Sequence, residues 1–214
     1  MPYFQCDSST QFTCMDGSCI NITNRCDNVR HCPDDSDENN CHILMLDKAK
    51  YRKSSKPPPL KGQTDLKISI RFYVVSIDKV QELESDYRIG FWLLVSWQDR
   101  RLSYQNLRQD ERKNILEHEE AKSIWTPLLL FPDSYGKNAI GYHSNAYIFI
   151  SKDEQNHGTI TPLSETDEGI FYEGKDHSIN LFQRFGFQHH CSFNLRHFPF
   201  DQQMCPLTVS KNVA

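Results

Sequence analysis

No stretch of this sequence reaches the 18 or so consecutive apolar residues that a helix needs to cross a bilayer. Phe91-Trp-Leu-Leu-Val95 is among the longest apolar runs, and its length suits a strand. Met1-Pro-Tyr-Phe-Gln runs into Cys6 without the charged and apolar segments of a secretory leader. An excess of positive charge is also lacking. Lys and Arg total 24 against 28 Asp and Glu, a net charge of -4, which argues against a nucleic-acid partner. Catalytic signatures fail in turn. His118-Glu119-Glu120 begins a zinc-protease H-E-x-x-H, but the fifth residue is Lys122. There is no G-x-S-x-G, no C-x-x-C and no phosphate-cradling glycine loop, so an enzyme is not expected.

Cysteine is what the chain has in quantity. There are eight, an even number, and six fall in the first 41 of 214 residues, at 6, 14, 19, 26, 32 and 41. Such density implies disulfides and an oxidising, extracellular compartment. An extracellular protein without a leader implies in turn a piece of a longer chain. Residues 6–41 carry few apolar side chains (Phe12, Ile20, Ile22, Val29), so cross-links or a metal must hold them. Six cysteines allow 15 pairings, and spacing does not choose among them. The acids Asp27, Asp34, Asp35, Asp37 and Glu38 offer hard oxygen ligands suited to Ca²⁺. Asn21-Ile-Thr23 is a glycosylation sequon, as a secreted surface would carry.

Phe12-x-Cys14, Gly17-x-Cys19-Ile20, Arg25-Cys26-Asp27 and Ser36-Asp37-Glu38 resemble an LDL-receptor class A module over the whole of 6–41. The resemblance implies the pairings Cys6–Cys19, Cys14–Cys32 and Cys26–Cys41. It also implies Ca²⁺ held by Asp27, Asp37 and Glu38 and by the carbonyls of Asn24 and Val29. The family's remaining ligand is an Asp immediately before the fifth cysteine, and here that residue is His31. An imidazole is a poor ligand for a hard cation, so the site is weakened by one oxygen and one charge. The aromatic that helps such modules grip a partner's lysine is replaced by Asn24.

Residues 42–63 turn basic, with Lys48, Lys50, Arg52, Lys53, Lys56 and Lys61 around Pro57-Pro58-Pro59. This composition predicts an extended linker, and a basic run can also touch anionic glycans or lipid head groups. Residues 64–214 form the second domain. Leu66, Ile68, Ile70, Phe72 and Val74 alternate with polar residues. After a turn at 81–86, Tyr87, Ile89, Phe91, Leu93, Val95 and Trp97 do the same. Period-two alternation without a long amphipathic helix predicts an all-β sandwich. A short surface helix is expected within 105–122, a strand at 147–150, a loose polar stretch over 159–180 and a strand over 184–195.

That last strand delivers Cys191 into Cys191-Ser-Phe-Asn-Leu-Arg-His-Phe-Pro-Phe-Asp-Gln-Gln-Met-Cys205. Pro199 fixes its own φ and drives Phe198 extended, so the loop bends at Phe198-Pro199-Phe200-Asp201. A disulfide closing so short a loop removes about 3 kcal/mol of unfolded-chain entropy. Phe198 and Phe200 at its tip make an apolar patch that needs a partner surface. C-x13-C with an aromatic-Pro-x-Asp centre resembles the signature loop of the Cys-loop, or pentameric ligand-gated, ion channels. Trp97-Gln-Asp99-Arg-Arg-Leu102 resembles that family's W-x-D-x-x-L strand.

The resemblance implies an incomplete extracellular ligand-binding sandwich, paired through Cys191–Cys205, with Phe198, Pro199, Phe200 and Asp201 coupling to a membrane domain. It implies other channel subunits as partners in a pentamer, a small-molecule transmitter between subunits and a pore outside this sequence. Membrane attachment would come only through a missing C-terminal part, on the extracellular side of the plasma membrane. Trp92, five residues before Trp97, stands where the family places an interface aromatic for the ligand. Trp125-Thr-Pro127 resembles the family's first ligand loop, W-x-P-D, with Leu128 in place of the Asp and Pro132 in place of a later aromatic. The other reading is a secreted soluble binding or adhesion protein built from the same two parts.

Overall fold

A computed structural model of the chain describes residues 6–7, 10–81, 83–132, 134–135, 146–153, 159–164 and 167–212. The class A segment is a small hairpin, β1 (Gln11–Thr13) against β2 (Cys19–Asn21), followed by turns. Its apolar centre is Phe12, Cys14 and Cys32, with Ile20 and Ile22 packed on it. A core this small is held by cross-links. Cys6–Cys19, Cys14–Cys32 and Cys26–Cys41 are bonded, with Cα separations of 5.8, 5.8 and 5.5 Å.

The remaining strands form two packed sheets and a short separate ladder. β3 (Leu44–Met45), β4 (Ser69–Gln81), β5 (Asp86–Trp97) and β6 (Ser103–Gln105) come first. The short helix α1 (His118–Ser123) follows, then β7 (Leu128–Leu130), β8 (Ser134–Tyr135) and β9 (Tyr147–Ser151). β10 (Thr159–Ser164), β11 (Asp167–Glu173), β12 (Ser178–His190) and β13 (Ser210–Asn212) complete the chain. The larger sheet runs β4-β5-β12-β8, with β9 also on β12; the smaller runs β10-β11-β6-β3, and β13 pairs with β7. The fold is all-β, as the alternation predicts.

β5 is the spine. Tyr87, Ile89, Phe91, Leu93, Val95 and Trp97 are all buried, and each intervening residue from Arg88 to Ser96 is less so. Burying six such side chains on one face fixes the register, since a one-residue slip would expose them all. Behind Trp97 the chain turns on Asp99, which is fully buried. Arg101 grips it with Nε–Oδ1 at 2.8 Å and Nη2–Oδ2 at 2.7 Å. Gly174 lies against this turn: a Cβ there would sit 2.3 Å from the Asp99 carbonyl oxygen, so only glycine fits.

Three sequence expectations change. Residues 42–63 are not a free-standing spacer. β3 pairs with β6, Ile43 and Leu44 are buried, and Glu120 accepts both of their amide protons at 3.1 and 2.9 Å. Farther on, the Tyr51 hydroxyl donates to Asp99 Oδ2 at 3.1 Å and accepts the Trp125 amide at 2.9 Å. The few apolar residues of the segment are those that dock, and its cations stay outside. Nor is 159–180 loose: β10 and β11 form a hairpin, β11 pairs with β6, and β12 has begun by Ser178. The hairpin's strands are held by backbone pairing, with Tyr172 buried where β11 meets β6. The strand expected to reach 195 ends at His190, where the amide of the next residue, Cys191, leaves the ladder to bond Ser85 O at 2.8 Å.

Candidate functional sites

The outward face of the larger sheet carries an aromatic row. Trp92 on β5 lies opposite Tyr73 on β4 and Arg184 on β12, while Phe182 on β12 lies opposite Tyr147 on β9. The register therefore brings Tyr73, Trp92, Phe182 and Tyr147 onto one face across four neighbouring strands. Trp92 stacks on Phe182 with centroids 4.7 Å apart and planes at 12°, and Tyr147 tilts against Phe182 at 5.5 Å. The Arg184 guanidinium stands 5.9 Å from the Trp92 ring centroid. Stacked rings beside the Arg184 guanidinium form a surface able to hold a flat or cationic group on ring faces and an acidic group at Arg184.

Phe182, Tyr147 and Arg184 were not singled out from sequence. The alternation from Arg184 onward marks Arg184 as outward, but Phe182 precedes that run and Tyr147 lies on another strand, so their meeting with Trp92 depends on the register.

The W-x-P segment contributes its Trp to the core. Trp125 is buried and meets Trp97 edge-on at 6.1 Å. Leu128 opens β7 with its side chain exposed, and Phe131 packs inward against Phe91 and Phe185. Asp133, which follows Pro132, lies outside the described residues.

The loop between the bonded Cys191 and Cys205, whose Cα atoms are 5.4 Å apart, is ordered by polar side chains. Gln203 accepts the Asn194 amide at 2.9 Å and donates to the Asn194 carbonyl at 3.0 Å; it also bonds Asp201. Buried His189 reaches Pro206 O through Nε2 at 2.7 Å, tying the returning limb to β12. Pro199 follows a cis peptide bond. Phe198, Phe200 and Met204 are 66, 92 and 95% exposed. The loop is thus fixed at its base and apolar and exposed at its tip.

In the class A segment, the Glu38 carboxylate accepts the amides of Asp27 and Asn28 at 2.9 and 3.1 Å. Asp37 is fully buried; its Oδ2 accepts the His31 amide at 2.7 Å, and its Oδ1 has no hydrogen-bond partner among the described residues. A buried carboxylate oxygen without a hydrogen-bond partner fits a cation ligand. His31 occupies the edge of this site. Its Nδ1 lies 2.8 Å from Val29 O, 3.6 Å from Asp27 Oδ1 and 3.7 Å from Asp37 Oδ2. A carbonyl only accepts, so Nδ1 carries the proton and cannot itself ligate a metal.

Comparison with known sequences agrees with both halves of this arrangement. Residues 41–213 match the neurotransmitter-gated ion-channel ligand binding domain, and residues 4–41 match the low-density lipoprotein receptor domain class A. The chain belongs to the neurotransmitter-gated ion-channel ligand-binding domain family. That family is a channel class and not an enzyme class.

Among its relatives are the mouse gamma-aminobutyric acid receptor subunit theta and the chicken neuronal acetylcholine receptor subunit beta-2. The first is 26% identical over 148 residues, 69% of this chain and 19% of the relative. The second is 24% identical over 164 residues, 76% of this chain and 28% of the relative. Human low-density lipoprotein receptor-related protein 11 is 44% identical over 57 residues, 27% of this chain and 11% of its own. The chain thus spans about a fifth to just over a quarter of the two receptor subunits it matches. No helix among the described residues is long and apolar enough to cross a membrane.

Proposed function

We propose that the chain is extracellular sequence of a neurotransmitter-gated channel subunit, which binds a small transmitter where subunits meet and passes the event to a pore. The aromatic row centred on Trp92 carries this reading. A ligand-binding domain of this family that displays stacked rings with the Arg184 guanidinium beside them on an outward sheet face has the chemistry for a small ligand bearing cationic or acidic groups. Phe198, Pro199, Phe200 and Asp201 would be the contact through which binding reaches the membrane domain. Other subunits, in a pentamer at the extracellular side of the plasma membrane, are the partners this implies. The secreted soluble protein is the other reading, and nothing in the geometry favours it.

The class A module is proposed as a weakened Ca²⁺ site. Asp27, Asp37 and Glu38, with the carbonyls of Asn24 and Val29, supply oxygens, and the unpartnered Oδ1 of Asp37 supports an ion there. Bound Ca²⁺ would supply the positive charge that gathers these carboxylates. His31 withholds one ligand and engages the Val29 carbonyl.

The test is expression of the full-length subunit, alone and with relatives, under a panel of amino-acid and quaternary-amine transmitters. Gated current whose half-maximal concentration rises about tenfold or more in Trp92→Ala, at equal surface expression, is the expected result. Secretion of a full-length product with no membrane-bound fraction would overturn it in favour of the soluble protein.

A further inference from the structure

The class A module does not hang free of the sandwich. Arg108, in the loop after β6, donates from Nη1 to the Thr23 carbonyl at 2.7 Å, across 85 residues of sequence. Its own backbone is held by buried Asn114, which accepts the Arg108 amide at 2.7 Å and donates to the Arg108 carbonyl at 2.8 Å. Between the two parts lies a cleft of about 340 Å³, lined by Ile22, Thr23 and Arg25 of the module and by Arg108, Lys152 and Tyr172 of the sandwich, among others. Among the described residues, three cations line this cleft and no carboxylate does. Lys152 Nζ sits 3.1 Å from the Tyr172 hydroxyl and 4.9 Å from the ring centroid, so it is positioned by neutral groups. Arg25 is buried with its guanidinium 4.5 Å from the Phe12 ring centroid.

We infer that this seam is a binding site for a small oxyanion, most simply a carboxylate carried on a short aliphatic stem. Arg108 and Lys152 supply the charge-assisted hydrogen bonds, Arg25 adds its field from the module side, and Ile22 lines the wall where the stem lies. Burial holds the Arg108 guanidinium below its usual range. The carboxylates of Asp27 and Glu38 act the other way from the module without reversing the shift. A bound anion relieves that penalty. Neither part makes the site alone, because one contributes Arg25 and the other Arg108 and Lys152. The seam is built on different residues from the aromatic row, and its ligand is not the transmitter proposed there.

The experiment is calorimetric titration of the whole chain with glutarate and with sodium sulfate as separate probes, at fixed ionic strength. Saturable one-site binding of glutarate is expected, weakened about tenfold or more in Lys152→Gln and restored in Lys152→Arg. Arg108→Gln is expected to abolish it; because that change also removes the Thr23 contact, Arg108→Lys, which keeps the charge, is expected to recover part. Sulfate binding with the same dependence on Lys152 also supports the site, as the shared chemistry is the oxyanion. No saturable binding of either probe, or equal binding in the wild type and Lys152→Gln, overturns the assignment.

Discussion

At the scale of single residues, His31 and His177 are the two whose chemistry departs most from a passive role. His31 stands where the class A family has an aspartate, and its protonated Nδ1 points at oxygens proposed for Ca²⁺. His31→Asp replaces a donor by an anionic oxygen ligand. Calorimetry on the whole chain is expected to show Ca²⁺ bound at least tenfold more tightly, because affinity follows ligand number and charge. Unchanged affinity would mean the position faces away from the ion.

His177 is buried beside the Tyr172 ring, and its Nδ1 accepts the Asp153 amide at 3.1 Å. Burial lowers its pKa below the usual 6.5; Asp176 and Asp153 oppose that shift and Lys152 adds to it. A folded pKa below the unfolded one means that the unfolded chain takes up the proton first. The contribution of His177 is therefore complete above about pH 6.5 and is lost as pH falls from there toward the folded pKa, at no more than about 1.4 kcal/mol per pH unit. Urea melts between pH 7 and 5 are expected to show this slope in the wild type and a flatter one in His177→Phe. Parallel slopes would exclude His177 as the titrating group.

At the scale of elements, β5 was legible almost residue by residue, because one buried face and one half-exposed face leave a clean period of two. The class A cysteines were legible for a different reason: a segment without a core must show its cross-links. Residues 42–63 were misread because lysines and prolines dominate the composition while a handful of residues do the docking. Of these Tyr51 is the most informative. Burial pushes its hydroxyl up to about 12, so it stays protonated and donates to Asp99 while accepting from the Trp125 amide. Tyr51→Phe keeps the ring and deletes both bonds. A loss of about 1–3 kcal/mol in denaturant unfolding is expected, since a buried amide and a carboxylate are left short of a partner. A change within a few tenths would show that the segment only rests on the sandwich. The aromatic row could not be read ahead of the structure beyond Trp92, because which outward residues of β5, β9 and β12 meet depends on register between strands.

At the scale of the whole molecule, the two family segments meet in a polar seam through Arg108 and Thr23. The β4 edge is less finished: Phe72, Val74 and Ile77 are 40, 59 and 62% exposed although their partners on β5 are buried. Peptide mapping without reductant is expected to recover Cys6–Cys19, Cys14–Cys32, Cys26–Cys41 and Cys191–Cys205. A bridge joining the first six cysteines to the last two would contradict the division into module and sandwich.

These bridges span only 13, 18, 15 and 14 residues, and the two groups are far apart in sequence. On a ribosome adding 5–20 residues per second, the 150 residues between Cys41 and Cys191 take roughly 8–30 s to emerge. The module can therefore oxidise, and exhaust its thiols, before the last two cysteines are made. Order of birth, as well as distance in the finished fold, guards the pairing.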